Sequence, residues 1–209
     1  MDIFWIALQF IVLGISLAAP VGPINLEIIK RGISSGFYSS WLVGIGGMTA
    51  DCLFLLGILV GLGPFLQLEL VQISMYGIGS SLLLYLGITT IYVNLKKKRI
   101  LDFGQPVGNN SFFIGFAIAA FNPINFVFWF GIFGSALQSL AIKGWYVALV
   151  GSLSILLGIF LWNLNMAFTV HFARAFIKEK ILRSINLIAG VLLIAAAIPF
   201  FLNFMDLVL

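Results

Sequence analysis

The chain alternates between long apolar stretches and short polar connections, a pattern typical of a protein that crosses a membrane several times. Six apolar stretches stand out, at about 3–22, 37–62, 72–95, 112–138, 144–170 and 185–205. Each one reaches or exceeds the ~20 residues that a helix needs to cross the hydrocarbon core of a bilayer. The pattern therefore predicts an all-α integral membrane protein with six transmembrane helices.

The composition agrees with a membrane protein and leaves few residues for metal or redox chemistry. Of 209 residues, 62% are hydrophobic and 9% are charged, whereas a soluble domain carries about 25% charged residues. The single cysteine, Cys52, and the single histidine, His171, are too few for a disulfide or for a metal site without several carboxylates. No cofactor is expected. The chain also lacks an ATP-binding loop, so it cannot drive primary active transport by itself.

The basic residues are distributed unevenly among the connections, which predicts the orientation in the membrane. The first, third and fifth connections carry ten of the eleven basic residues: Lys30, Arg31, Lys96, Lys97, Lys98, Arg99, Arg174, Lys178, Lys180 and Arg183. Basic connections stay in the cytoplasm. The protein is therefore expected in the cytoplasmic membrane with both termini exterior, and its net charge of +4 does not indicate nucleic-acid binding.

Two of the apolar stretches contain a similar interruption. The first contains Pro20-Val21-Gly22-Pro23-Ile24-Asn25, and the fourth contains Asn122-Pro123-Ile124-Asn125. Proline lacks an N–H group and its ring obstructs the preceding turn, so the first and fourth helices are predicted to be broken at proline. Lipid tolerates a broken helix only where protein or a water-filled cavity satisfies the freed backbone groups.

The polar connection at about 96–111 separates two halves with three apolar stretches each, about 1–95 and about 112–209. Because three is odd, the second half enters the membrane from the opposite side. Residues 1–209 are therefore predicted to form a single membrane domain of two inverted three-helix repeats. In secondary transporters with this plan, broken helices in corresponding positions of the repeats mark the substrate site.

The two breaks offer groups that match the two charges of an α-amino acid. The N–H groups that begin a half-helix can hold a carboxylate, and the carbonyls that end one can hold an ammonium group. Glycine allows close approach to the backbone, and asparagine amides both donate and accept hydrogen bonds. The candidate substrate-binding residues are Gly22, Pro23, Asn25, Asn122, Pro123 and Asn125. The alternative is two proline kinks capped by asparagine.

Asp51 lies near the middle of the second stretch. A charged side chain at that depth costs about 2.5 kcal/mol or more, so it normally faces the protein interior and marks a pathway or a proton relay. Helical spacing places Ser40, Gly44 and Gly47 on the same face, where small residues let another helix approach. Asp51 is therefore predicted to couple transport to protons. The alternative is a protonated carboxyl that locks two helices together.

Glu27 and Lys30 follow the first break and are spaced to pair at i,i+3. Their place near the cytoplasmic end of the first hairpin predicts that Glu27 is exposed at the membrane interface. A role of Glu27 in gating or substrate binding is the alternative.

Several segments together resemble the LysE-type translocators, which include lysine, homoserine, threonine and leucine exporters. They are Pro-x-Gly-Pro-x-Asn at 20–25, Arg-Gly followed by glycine at 31–36, Gly-Gly followed by aspartate at 46–51, the segment 79–87, and Gly115 followed by Asn-Pro at 122–123. The resemblance implies a small exporter of amino acids or close derivatives, driven by protons or the membrane potential. It carries over six of the residues named above as site candidates: Gly22, Pro23, Asn25, Asp51, Asn122 and Pro123. The family often has lysine after Asn-Pro where this chain has Ile124, so the charge of the substrate stays open.

The favoured hypothesis is thus a secondary exporter that works by alternating access, with an amino acid, protons and the lipid bilayer as its partners. The alternatives are an inorganic-cation exporter and a non-transporting scaffold subunit. The oligomeric state stays open under each hypothesis, and a homo-oligomer is compatible with all of them. A membrane-embedded enzyme would need a nucleophile with a base or a clustered metal site, so no enzyme is expected.

Overall fold

The computed structural model describes residues 3–20, 22–61, 68–96, 110–176 and 179–208, and the described part is helical with no strand. The predicted connection at about 96–111 lies mostly outside these residues. The α-helices are α1 Ile3–Ala18, α2 Pro23–Ser35, α3 Phe37–Leu59, α4 Glu69–Lys96, α5 Ser111–Ala120, α6 Pro123–Val127, α7 Gly134–Ile142, α8 Trp145–Ala173 and α9 Glu179–Val208. A π-helix, Phe128–Phe133, joins α6 to α7, and a 3₁₀ turn, Arg174–Phe176, follows α8.

Four helices are long and apolar enough to cross a membrane, or up to six if each bent helix pair counts as one span. The four lie in α3, α4, α8 and α9. One bent pair joins α1 to α2 at 75°, and the other joins α5 to the segment Ile124–Phe130 at 62°. Both bends fall at the predicted prolines. The predicted first stretch ends near residue 22, whereas the chain resumes a helix at Pro23 that continues to Ser35.

Three long helix–helix contacts join elements before residue 96 to elements after residue 110. Helix α1 packs along α8, α3 along α5, and α4 along α9. Each crossing has a glycine on both helices: Gly14 and Gly158, Gly46 and Gly115, and Gly87 and Gly190. At Gly46, for example, an added Cβ would collide with the carbonyl oxygen of Phe112. Small residues allow such close backbone contact, which is how helices gain packing energy where lipid is the solvent.

The buried apolar side chains form two larger clusters on different sets of helices. One joins α1, α3, the π-helix, α7 and α8 around Trp129 and Phe133, which are fully buried. The other joins α2, α4, α5 and α9 around Leu193.

The predicted small-residue face of α3 is buried against other helices. The Ser40 hydroxyl donates a hydrogen bond to the Ile28 carbonyl of α2 at 2.9 Å. A Cβ on Gly44 would lie 3.0 Å from the Cβ of Asn163 in α8. Asp51, on the same face, is only 6% exposed. The helical spacing thus identified the buried face of this span correctly.

Candidate functional site

At the first break, the extended Gly22 is the N-cap of α2. Helix α1 ends at Ala18, and α2 begins at Pro23, whose missing N–H costs nothing at a helix start. The Asn25 amide nitrogen donates to the carbonyls of Ala18 and Pro20, both at 2.7 Å. These carbonyls lie at and beyond the end of α1, where intrahelical donors run out. Asn25 therefore ties the two half-helices together across the break.

The second break is built in a similar way. Helix α5 ends at Ala120 and α6 begins at Pro123, with Asn122 as the N-cap. The Asn122 side-chain oxygen accepts a hydrogen bond from the Ile124 backbone N–H at 3.0 Å. The Asn125 amide reaches back to the Ala119 carbonyl at 3.4 Å. Asn25 and Asn125 thus occupy matching positions and both bridge their breaks.

Asp51 connects α3 to the second break. Its Oδ1 atom accepts hydrogen bonds from Asn125 Nδ2 and from Trp129 Nε1, both at 2.8 Å. Both donors lie after residue 110, whereas Asp51 lies before residue 96. Among the described residues no hydrogen bond ends on the other carboxylate oxygen, Oδ2. The carboxyl group therefore links the two halves of the chain through one oxygen and leaves the second available.

Trp129 is a site residue that the sequence did not reveal. The indole ring is fully buried and sits in the π-helix, where one extra residue per turn changes the register of the side chains. π-Helical turns often occur at functional sites. A tryptophan in an apolar span is unremarkable in sequence. The only available signal is that a buried indole N–H needs an acceptor.

Both breaks and Asp51 meet at one cavity of about 420 Å³, within the range of roughly 300–1,000 Å³ for small-molecule sites. The predicted residues that line it are Gly22, Pro23, Asn25, Asp51, Asn122 and Asn125. Pro123 begins α6 directly between two lining residues, Asn122 and Ile124. The lining residues that were not predicted as site residues are Ser16, Leu17, Ala18, Pro20, Ile24, Gly47, Ile124, Ile159 and Asn163.

Among the described lining residues, one side chain can carry a charge and the others are neutral. Asp51 is the only ionisable side chain among the described lining residues. Amides and one hydroxyl supply further hydrogen-bonding groups, and aliphatic side chains complete the walls. The described part of the chain has no group of three or more His, Cys, Asp or Glu side chains that could hold a metal ion. The described lining therefore offers one carboxylate, several neutral hydrogen-bonding groups and an aliphatic surface.

The prediction that Glu27 is exposed at the membrane interface is wrong. Its side chain is fully buried and pairs with Lys30, as the i,i+3 spacing predicted, and with Arg31 Nε at 2.6 Å. Arg31 also donates to the Ser111 hydroxyl of α5 at 2.7 Å, and Lys30 to the Thr90 hydroxyl of α4 at 3.3 Å. Helix α2 extends beyond the predicted span and packs against α3, α8, α9 and α5, so Glu27 lies inside the protein.

The amino-acid sequence is similar to those of known proteins. A sequence model described as "LysE type translocator" matches residues 15–203. The "Putative amino acid efflux protein YcgF" of Bacillus subtilis (strain 168) is 39% identical over 200 residues, which cover 93% of this chain and 92% of that protein. The "Chemotactic transduction protein ChpE" of Pseudomonas aeruginosa is 31% identical over 138 residues, 66% of each chain. No solved structure gives a significant match.

Proposed function

Because this chain belongs to the LysE-type translocators, a transporter family, we propose that it is a secondary transporter that exports amino acids or close derivatives across the cytoplasmic membrane. The observation that carries this proposal is that both helix breaks and Asp51 line the same cavity. A relative that covers nearly the whole chain is named as an amino acid efflux protein. That name supports the substrate class and the direction of transport.

The proposed architecture is a single membrane domain, residues 1–209, of two inverted repeats with three spans each. The first and fourth spans are the bent pairs α1–α2 and α5–α7. In such a repeat, α1 corresponds to α5, α3 to α8 and α4 to α9. A symmetry operation that exchanges the repeats therefore turns the α1–α8 contact into the α5–α3 contact and maps the α4–α9 contact onto itself. All three contacts are present. The matching positions of Asn25 and Asn125 across their breaks also support the repeat.

The orientation follows from the basic residues. Lys30, Arg31, Lys96, Arg174 and the basic residues of α9 lie at the ends of helices that would share one face of the membrane. Basic segments stay on the cytoplasmic side. The C-terminal end of α2 would therefore face the cytoplasm, and both chain termini would be exterior.

In the proposed mechanism the two halves rock about the cavity and expose it to each side of the membrane in turn. Asp51 takes a proton from outside and releases it inside as the substrate leaves. An ionised Asp51 accepts two charge-assisted hydrogen bonds from the second half, which are about twice as strong as neutral ones. Protonation weakens this link between the halves and so allows them to move apart. The protonation state of Asp51 thereby controls how freely the two halves of the protein move relative to each other.

The test is the efflux of labelled amino acids from preloaded proteoliposomes, with and without an imposed proton gradient. We expect the gradient to accelerate efflux of one or a few amino acids through the wild-type protein. Asp51→Asn keeps the shape of the side chain but cannot ionise, so we expect it to lose the acceleration. The matched control is Asp206→Asn, the same change at an exposed position in α9, which we expect to behave as wild type.

Other outcomes lead to other conclusions. Equal acceleration in wild type and Asp51→Asn would keep the exporter and remove Asp51 from coupling. Failure of every amino acid to leave would overturn the proposal in favour of inorganic-cation export or of a non-transporting scaffold. Efflux of a labelled metal ion under the same gradient would then separate these two alternatives.

A further inference from the structure

The charges around the cavity limit what kind of amino acid it accepts. Its described lining contains one carboxylate, Asp51, and no basic side chain. The basic residues nearest along α2 are Lys30 and Arg31, and both are engaged with Glu27. A bound molecule would therefore meet one fixed negative charge and no fixed positive side chain.

Asp51 is placed to hold the α-ammonium group of a ligand. Its side chain is 94% buried, since 6% remains exposed, and it lines the cavity. Both of its hydrogen bonds among the described residues end on Oδ1. The Oδ2 atom is left for a donor that enters the cavity, and an ammonium group supplies both the donor and the opposite charge.

The α-carboxylate then has one suitable place, the start of α2. Gly22 is its N-cap and provides no side-chain hydrogen bond. Apart from its chain neighbours, the nearest atom among the described residues to an added Cβ at Gly22 would be the Pro20 carbonyl oxygen, at 3.9 Å, so these residues leave room for a ligand at the backbone there. The second break differs, because the Asn122 side chain already caps the Ile124 N–H. Backbone N–H groups and the dipole of α2 can thus balance a carboxylate without a cation.

Most side chains of the remaining wall are aliphatic, namely Leu17, Ala18, Ile24, Ile124 and Ile159. Its polar side chains, Ser16 and Asn163, are uncharged. An aliphatic side chain buries apolar surface there. A second ammonium group, as in lysine, would lack a carboxylate partner, and a second carboxylate, as in glutamate, would lack a cation. A buried charge without a partner costs several kcal/mol.

We propose that the cavity selects zwitterionic amino acids with uncharged aliphatic side chains, of about the size of leucine or norleucine, and rejects basic and acidic ones. This inference rests on the proposed export function, and names the substrate class of the same site.

The first test compares substrates of matched length in the proteoliposome assay. Norleucine has the carbon chain of lysine without its second ammonium group, and glutamine replaces the acidic group of glutamate with an amide. We expect norleucine to leave at least about tenfold faster than lysine, since tenfold corresponds to only about 1.4 kcal/mol, and glutamine to leave faster than glutamate. The same order is expected for the thermal stabilisation of the detergent-solubilised protein by each amino acid.

The second test adds a carboxylate to the cavity. Asn122→Asp keeps a side-chain oxygen at the N-cap, because aspartate caps helices as well as asparagine does. We expect this variant to raise lysine efflux relative to norleucine efflux. The matched control is Asn110→Asp, the same change at the exposed N-cap of α5, which we expect to leave the ratio unchanged.

The outcomes distinguish this inference from the proposed function. Efflux of lysine or glutamate at the rate of its neutral counterpart would overturn the inference and leave the exporter intact. Efflux of no amino acid would overturn both. If Asn122→Asp does not fold, the wild-type comparison and the thermal stabilisation decide alone.

Discussion

Glu27 shows how a charged residue becomes part of the interior of this protein. Its carboxylate is fully buried and is flanked by Lys30 and Arg31. Lys30 also donates a hydrogen bond to Thr90 of α4, and Arg31 donates one to Ser111 of α5. A buried ion pair adds little net stability, because removing charges from water costs about as much as their attraction returns. Removal of one partner is costly, since it leaves an uncompensated charge.

We therefore predict that Glu27→Gln destabilises the protein strongly, although glutamine has nearly the same shape. The variant leaves two cations around a neutral amide, and loss of one partner of a buried pair costs about 3–5 kcal/mol. The measurement is denaturant unfolding in detergent micelles. Glu69→Gln, the same change at the exposed start of α4, is the control. Equal stability of the two variants would contradict the buried ionic role of Glu27.

At the residue scale, the sequence identified polar side chains that interrupt apolar stretches. It did not show whether charged side chains near the ends of those stretches are buried. Asp51, Asn25 and Asn125 were singled out because each lies within or beside a span, and all three line the cavity. Their role in binding and coupling stays a prediction. Glu27 was misjudged because its burial depends on the packing of α2 against α5, α8 and α9, which are distant in sequence. Trp129 was missed because the π-helix that directs it toward Asp51 is not encoded in any local motif that we recognise.

At the scale of elements, close backbone contacts decide how the helices pair. Gly46 of α3 crosses α5 at Phe112 and Phe116, and Gly115 of α5 crosses α3 at Val43. A β-carbon at either glycine would meet backbone atoms, which cannot rotate away as a flexible side chain can. The α3–α5 contact matters for the site because α3 carries Asp51, while α5 ends at the second break.

We predict that Gly46→Ala destabilises the folded protein by about 1–3 kcal/mol, the usual cost of inserting an extra group into a packed interior. The methyl group would force α3 and α5 apart and so disturb the Asp51–Asn125 hydrogen bond. Unfolding in detergent micelles measures the stability. The control is Gly134→Ala in α7, where the nearest atom, the Trp129 carbonyl oxygen, would lie 3.5 Å from the new Cβ. If Gly46→Ala were as stable as this control, the close α3–α5 crossing would be contradicted.

The helices themselves were largely predictable, since apolar length and proline are local signals. Both broken helices bend where the prolines fall, because proline removes a donor and obstructs the preceding turn. The extension of α2 to Ser35 was not predicted, as its residues 23–35 mix charged and apolar side chains. Such a helix is recognisable only once neighbouring helices cover its charges.

At the scale of the whole molecule, the proposed inverted repeat predicts which side of the membrane each helix end faces. Helix packing alone does not test this prediction. If each half crosses the membrane three times, the two ends of the first half lie on opposite sides, and so do the two ends of the second. The chain termini then share the exterior. Single cysteines can report these sides, because the only native cysteine, Cys52, can be replaced by serine.

We predict that a membrane-impermeant maleimide labels exterior positions in intact cells and cytoplasmic ones only after permeabilisation. Suitable exposed positions are Ile3, Trp145 and Val208 for the exterior, and Leu95 and Phe176 for the cytoplasm. Each is changed to cysteine in the Cys52→Ser background, which serves as the unlabelled control.

Comparing the labelling of two positions shows whether the helices between them cross the membrane an odd or an even number of times. Opposite labelling of Ile3 and Leu95 means that the first half crosses an odd number of times. With α3 and α4 as spans, this excludes a re-entrant α1–α2 pair and two separate spans, and agrees with one broken span. Trp145 and Phe176 flank α8 alone, so labelling of both from the same side would contradict the assignment of α8 as a span. A complete reversal of the pattern would keep the inverted repeat and overturn the orientation. Labelling of Ile3 and Leu95 from the same side would overturn the repeat itself, and with it the argument that the two breaks are related by symmetry.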